Sequence, residues 1–278
     1  MESLVPVQDA GVALRCKMSG SPTSLDGIKA VFLDLDGTIY LGSNLIEGAV
    51  SFLDRLEGRG IRRFFLSNNS SKSVGQYLEK LQGLGIPATA DEILLSTHDL
   101  ISWLRENSVD QTYLVGTEGM REMLESEGVN TESKKPQYVV LGYDTEITYE
   151  KLSTASIHLH KGVPLVSSHP DVVCPSPDGG LPDTGAYMDL FEATTGVRPE
   201  HVCGKPNAGM ILHKVEELGL RADQCAMVGD RLYTDMEMAE RAGVQGVLVL
   251  SGEATMDDLE SAPQRPSVVV GSVNELVR

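Results

Sequence analysis

The stretch Val31-Phe32-Leu33-Asp34-Leu35-Asp36-Gly37 decides how the chain is read. Ala30–Leu33 is an unbroken apolar run, the pattern of a strand buried on both faces of a parallel sheet. Asp34 and Asp36 stand where that strand runs out, and Gly37-Thr38 supplies a turn. In open α/β sheets, ligands bind at the carboxyl ends of the strands. Two carboxylates spaced two apart at such an end can hold a hard cation such as Mg²⁺, which takes oxygen ligands. One of them can also attack an electrophile. Asp-Gly is also an ordinary turn signal, the blander and weaker reading of the stretch taken alone.

Strand and helix patterns follow in alternation. Ala49, Phe52, Leu53 and Leu56 recur at helical spacing before Gly58 and Gly60. Arg62–Leu66 reads as a second strand running into Ser67-Asn68-Asn69-Ser70-Ser71. Val74, Tyr77, Leu78, Leu81 and Leu84 mark a second helix closed by Gly85, and Glu92–Ser96 is a third short strand. This β-α-β-α-β order calls for a parallel sheet with right-handed crossovers.

From residue 98 to 183 a second α/β series follows, with strands expected at Thr112–Gly116, Tyr138–Gly142 and Pro164–Ser167. A segment with its own strands and helices is a small domain and not a loop. It ends in a turn-rich linker, Cys174–Pro182. The first domain then resumes with a helix over Ala186–Thr195. Lys205-Pro206-Asn207 opens another, with Pro206 in its first turn. A strand at Cys225–Val228 runs into Gly229-Asp230, followed by a helix over Met236–Ala242, a strand at Gly246–Leu250, and a last strand and helix at Ser267–Val270 and Val273–Val277. The expected division is an N-terminal extension (1–28), a core domain in two parts (29–97 and 184–278) and an inserted domain (98–183).

Forty acidic against 23 basic residues give the 278-residue chain a formal net charge of -17. That balance argues against nucleic acid or an anionic membrane surface as partner, since both need a basic footprint. A small anionic substrate stays open, because a cation, a lysine and backbone N–H groups can handle its charge locally. Cys16, Cys174, Cys203 and Cys225 form no C-x-x-C pair, which fits reduced thiols in a cytoplasmic protein better than a disulfide framework or a zinc site. The first residues do not read as a signal peptide. No apolar run approaches ~20 residues, so no membrane span is expected.

Three further sites fall at strand ends or helix starts. Ser67-Asn68 brings a hydroxyl and backbone N–H groups that suit phosphate oxygens, although either residue is also a common helix cap. Lys205 precedes a helix start and can neutralise a phosphate, although a lone lysine is ordinarily a surface residue. Gly229-Asp230 ends an apolar strand and Asp235 follows in the next turns, where acidic residues also suit a helix dipole. Each is weak alone. Their order along one α/β chain, all on one edge of the sheet, makes them a single candidate site.

The segments D34-L-D-G-T-I-Y40, L66-S-N-N-S70, G204-K-P-N207 and G229-D-R-L-Y-T-D235 resemble, in order, the four motifs of the haloacid dehalogenase-like (HAD) superfamily of phosphohydrolases. The resemblance runs from about residue 28 onward. With the insertion between the second and third motifs and the stretch D36-G-T-I-Y-L-G42, it is similar to the p-nitrophenyl phosphatase and phosphoglycolate phosphatase subfamily. It implies a Rossmann-like parallel-sheet α/β core domain with an inserted smaller α/β cap domain. It also implies a Mg²⁺-dependent phosphomonoester hydrolase acting through an aspartyl-phosphate. Its substrates would be small phosphorylated metabolites such as sugar phosphates, phosphoglycolate or nucleoside monophosphates, with p-nitrophenyl phosphate in vitro.

By the same resemblance Asp34 is the nucleophile and a Mg²⁺ ligand. Asp36 is the general acid and then the base, with its backbone carbonyl on the metal. Asp230 is a further Mg²⁺ ligand, and Asp235 an acceptor behind the ligands. Ser67, Asn68, Asn69 and Lys205 hold the phosphoryl group and substrate. A phosphomutase would keep the same motifs, and a non-catalytic regulatory protein would keep the fold; Asp34, Asp36 and Lys205 are all present and favour the hydrolase. No G-x-G-x-x-G follows the first strand, and Gly204-Lys205 is not a Walker motif. The cap is expected to read the leaving group, with His169, Asp171 and Cys174 in the loop 169–183 as candidate contacts, although His169 and Asp171 also suit turn capping. Oligomeric state is left open, with a homodimer as one arrangement.

Overall fold

The structure, a computed structural model, describes residues 25–276 apart from Pro175 and Pro177. The expected extension therefore lies outside the described residues as far as Ser24. From there the chain is packed into the core, with Leu25 and Ile28 buried.

In chain order the structure opens with β1 (Ala30–Asp34), a short hairpin of β2 (Tyr40–Leu41) and β3 (Asn44–Leu45), α1 (Ala49–Gly58), β4 (Arg62–Ser67), α2 (Val74–Gly83), β5 (Ile93–Leu95) and α3 (Ser96–Glu106). The inserted segment supplies β6 (Thr112–Val115), α4 (Glu118–Ser126), β7 (Tyr138–Leu141), α5 (Tyr149–His160), β8 (Leu165–Ser167), β9 (Val173–Cys174), β10 (Leu181–Pro182), α6 (Thr184–Thr195) and β11 (His201–Val202). The chain closes with α7 (Gly209–Glu217), β12 (Cys225–Gly229), α8 (Glu237–Ala242), β13 (Gln245–Val249), α9 (Met256–Ser261) and β14 (Val268–Val270).

The core sheet runs β14-β13-β12-β1-β4-β5, and every pairing in it is parallel. β1 is buried along its whole length. Its alternate side chains leave on opposite faces. Val31 and Leu33 pack with Phe52, Leu53, Tyr77 and Leu81 of α1 and α2, whereas Phe32 packs with Met210, Ile211 and Met238 of α7 and α8. Helices on both sides are why the run has no polar alternation. In register, Leu33 lies opposite Val228 and Asp34 opposite Leu66. The carboxyl ends of β12, β1 and β4 therefore come out side by side, and Asp230, Asp34 and Ser67 leave the sheet together.

The inserted segment forms a second parallel sheet, β11-β8-β7-β6. One of its faces packs Ala155, Leu159, Met188 and Phe191 of α5 and α6. The other sends Leu114, Val140 and Val166 into the same apolar cluster as the core strands. This corrects the expected boundary at residue 183. α6 and β11 belong to the inserted sheet, so the core resumes at Gly204. The Pro- and Gly-rich stretch taken for a linker is a hairpin, with Leu181 opposite Cys174 and Pro182 opposite Val173.

Smaller differences have local causes. α7 starts at Gly209 rather than at Pro206, because Gly204–Asn207 is a turn closed by Asn207 N–H to Gly204 O at 2.8 Å. α8 begins at Glu237, after a wide π-helical turn over Leu232–Met236. The last element is a 3₁₀ turn, Val273–Glu275, with Val277 outside the described residues. The hairpin β2–β3 and helix α9 are too short for their periodicity to register in the sequence.

Candidate active site

A cleft opens where the strand ends of the core face β9 of the inserted segment. Asp34, Asp36, Ser67, Asn68, Asn69, Lys205, Asp171 and Cys174 all line it. Of the expected contacts, His169 does not. Its ring is fully buried, with Nδ1 2.8 Å from Ser168 Oγ and Nε2 2.9 Å from Asp183 Oδ1. Thr184 Oγ1 lies 3.1 Å from the same Nε2. Both ring nitrogens are taken, so the expectation that His169 touches the leaving group is corrected: it fixes the root of the loop that carries Asp171. Asp171, Asp183 and His169 bring ligand atoms close together, but those atoms are occupied by these bonds and by the Asn68 amide.

Lys205 is the centre of the charge arrangement. Its Nζ donates to Asp34 Oδ1 and, at 2.8 Å, to Asp235 Oδ1. Burial works against its charge, but Asp235 and Asp34 outweigh it and hold the ammonium above the ordinary lysine range. The other oxygen of Asp235 accepts from Arg231 N–H at 3.1 Å. The π-helical turn brings Asp235 back under Gly229, where a Cβ would meet the Asp235 carboxylate at 2.4 Å.

Asp230 sits in a cradle of two glycines. A Cβ on Gly37, whose φ is +87°, would come 2.4 Å from Asp230 Oδ2, and one on Gly252 would come within 2.0 Å. Oδ2 accepts from Glu253 N–H at 2.7 Å, while Oδ1 is buried with no partner among the described residues. Burial, then Asp34 and Asp235, push Asp230 up to about 7. Ligand oxygens of Asp34, Asp230 and Asp235 lie within 4.8 Å of one another. An unpartnered buried carboxylate oxygen among like charges fits a divalent cation, and an all-oxygen donor set fits a hard one. Asp36, two residues past Asp34, is exposed at the lip of the cleft.

On the β4 side, Ser67 Oγ lies 2.8 Å from Tyr77 Oη and accepts from Asn69 N–H at 3.2 Å. Asn69 closes a turn through Oδ1, which accepts from Ser71 N–H and Oγ at 2.9 and 2.6 Å. Asn68 does something the sequence did not disclose. Its Oδ1 accepts from Lys205 N–H at 2.7 Å, and its Nδ2 donates to Lys205 O at 3.0 Å and to both oxygens of Asp171. It clamps the lysine segment and reaches the inserted domain at once.

Tyr40, Tyr77, Lys80, Arg231, Thr234 and Asp183 also line the cleft, beyond the residues that the sequence motifs mark as functional. Tyr40, Arg231 and Thr234 lie inside the quoted motifs. Lys80 follows Tyr77 by three residues on one helix face, and that spacing was its only signal.

The core strand ends, the acidic trio and the buried lysine define a hydrolase of the HAD type. Residues 31–130 match the family profile of the haloacid dehalogenase-like hydrolases and residues 202–276 a second, HAD-hydrolase-like profile. An acid sugar phosphatase of Staphylococcus aureus is 34% identical over 251 residues, covering 90% of this chain and 96% of the relative. Among solved structures, a 4-nitrophenylphosphatase from Thermotoga maritima is 38% identical with a TM-score of 0.86, covering 90% of this chain and 97% of its own. A p-nitrophenyl phosphatase from Archaeoglobus fulgidus is 30% identical with a TM-score of 0.83, covering 90% and 98%. The chain belongs to the haloacid dehalogenase-like hydrolase family. It is a phosphatase, the class in which these relatives fall. No helix among the described residues is long and apolar enough to cross a membrane.

Proposed function

We propose that the chain is a Mg²⁺-dependent hydrolase of small phosphomonoesters that works through an aspartyl-phosphate on Asp34. The observation that carries this reading is the buried Lys205 ammonium shared between Asp34 and Asp235 at the end of the central strand. The names of the relatives, acid sugar phosphatase and 4-nitrophenylphosphatase, support sugar phosphates and aryl phosphates as substrates. Phosphoglycolate and nucleoside monophosphates belong to the same class of small phosphorylated metabolite.

In this reading an Asp34 carboxylate oxygen attacks phosphorus and the ester P–O bond breaks. Asp36, at the lip, gives its proton to the leaving oxygen. Asp36 then takes a proton from water, whose oxygen attacks the same phosphorus, releasing inorganic phosphate and regenerating Asp34. Ser67 and Lys205 bind the equatorial oxygens, whose charge must be neutralised for transfer. Asp235 and the Asn68 amide hold Lys205 in place through the bonds described above. Asp34, Asp230 and the Asp36 carbonyl would hold Mg²⁺, which supplies positive charge that offsets repulsion between an anionic nucleophile and an anionic ester.

Asp34→Asn is the direct test. Phosphate release from p-nitrophenyl phosphate should fall by at least about a thousandfold, with an unchanged far-UV spectrum and a melting temperature at or above the parent's. Turnover within about tenfold of the parent in a folded variant would sink the mechanism.

A further inference from the structure

Among the described residues three cations line the cleft, and two are already matched. Lys205 holds Asp34 and Asp235, and Arg231 lies 2.8 Å from Glu253 Oε2. Lys80 is different. It stands on the buried side of α2, its Nζ donates to Tyr40 Oη at 2.9 Å and lies 4.1 Å from the centroid of that ring. Among the described residues no carboxylate comes within 4.0 Å of it. An ammonium has three donors, and Tyr40 takes one.

Its place in the cleft gives the rest. The phosphoryl group must lie between Asp34, Ser67 and Lys205, with its ester oxygen toward Asp36. The remainder of the substrate then runs past Asp36 to the part of the cleft lined by Tyr40, Lys80 and Cys174. Burial lowers the pKa of Lys80, and the Asp36 carboxylate and Cys174 nearby work the other way. Burial also pushes the Tyr40 hydroxyl far above its ordinary value, so it stays a neutral phenol that accepts from Lys80 and keeps its own O–H to donate. A half-desolvated ammonium beside a phenol is a seat for an anion, because hydrogen bonds with an ionised partner are the strong ones.

We infer that Lys80, together with Tyr40 Oη, binds a second anionic group on the leaving part of the substrate. The preferred substrates are then phosphomonoesters whose alcohol carries a carboxylate or a second phosphoryl group a few atoms from the ester oxygen. This rests on the proposed hydrolysis at Asp34. The competing role for Lys80 is to prop Tyr40 against α2, which would affect every substrate alike.

The experiment compares kcat/KM for 2-phosphoglycolate and 3-phosphoglycerate with that for glucose 6-phosphate and p-nitrophenyl phosphate, in the parent, Lys80→Gln and Lys80→Arg. The parent should favour the first pair. In Lys80→Gln the ratio between the pairs should fall by at least about tenfold through KM, and Lys80→Arg should restore it to within about threefold because the charge is kept. A parent that favours the neutral alcohols, or a ratio that Lys80→Gln leaves unchanged, overturns the assignment while leaving the hydrolase reading intact. A folded parent that releases phosphate from none of the four removes the hydrolase reading, and the assignment with it.

Discussion

Asn68 carries more of the site than its place beside Ser67 indicates. One amide oxygen and one amide nitrogen grip the backbone of Lys205 from both sides, and the same nitrogen reaches Asp171. Aspartate would keep the acceptor, lose both donations and set a second negative charge against Asp171. Asn68→Asp should therefore lower kcat/KM on every ester by about a hundredfold or more and destabilise the fold by roughly 1–3 kcal/mol, the cost of unpaired buried polar groups. Phosphate release and thermal melts check the two parts. Full activity with only a lowered melt would show that the clamp does not position Lys205. The role was not legible in the sequence, because the partners lie 103 and 137 residues away. Asp34, by contrast, was legible from the run before it, since a strand covered on both faces cannot tolerate a carboxylate until it ends.

At the scale of elements, strands read more clearly than helix starts and hairpins. β1, β4 and β12 announce themselves by apolar runs that two-sided burial requires. α7 did not begin at its proline, because the turn at Gly204–Asn207 intervenes, and β9–β10 is too short and too rich in Pro and Gly to show alternation. That hairpin sets the next expectation. Asp171 and Cys174 face the cleft, whereas His169 is locked behind them by Ser168, Asp183 and Thr184. Alanine at Asp171 or Cys174 should reorder good substrates, as contacts to a leaving group do. Alanine at His169 should lower the melting temperature and move all esters in parallel, since it leaves buried partners unpaired. A kinetic panel over several phosphomonoesters separates the two patterns. A His169→Ala variant that reorders substrates while melting like the parent would overturn this division.

At the scale of the whole molecule, the two-sheet plan was visible in the chain, but its return point was not. Which sheet α6 and β11 join is decided by pairing with β8 and by packing of Met188 and Phe191, not by local pattern. The acidic character was visible too, and its consequence is concentrated at the strand ends. There three buried carboxylates, Asp34, Asp230 and Asp235, lie together, and the Lys205 ammonium pairs with two of them, Asp34 and Asp235. The excess negative charge opposes folding when no other cation is present, and burial together with Asp34 and Asp235 raises Asp230 to about 7. A cation that binds only the folded chain stabilises it by mass action. Mg²⁺ at a hundred times its Kd should add about 2.7 kcal/mol, a rise of roughly 5 °C in Tm for a chain of this size. Exhaustive EDTA should remove both that rise and phosphate release, and added Mg²⁺ should restore both. Asp230→Asn should melt at or above the metal-free parent, because one repelling charge is gone, and should lose the Mg²⁺-dependent rise together with activity. Activity that survives chelation, or an Asp230→Asn variant that keeps the full rise, would mean that the strand-end carboxylates are not where the cation binds.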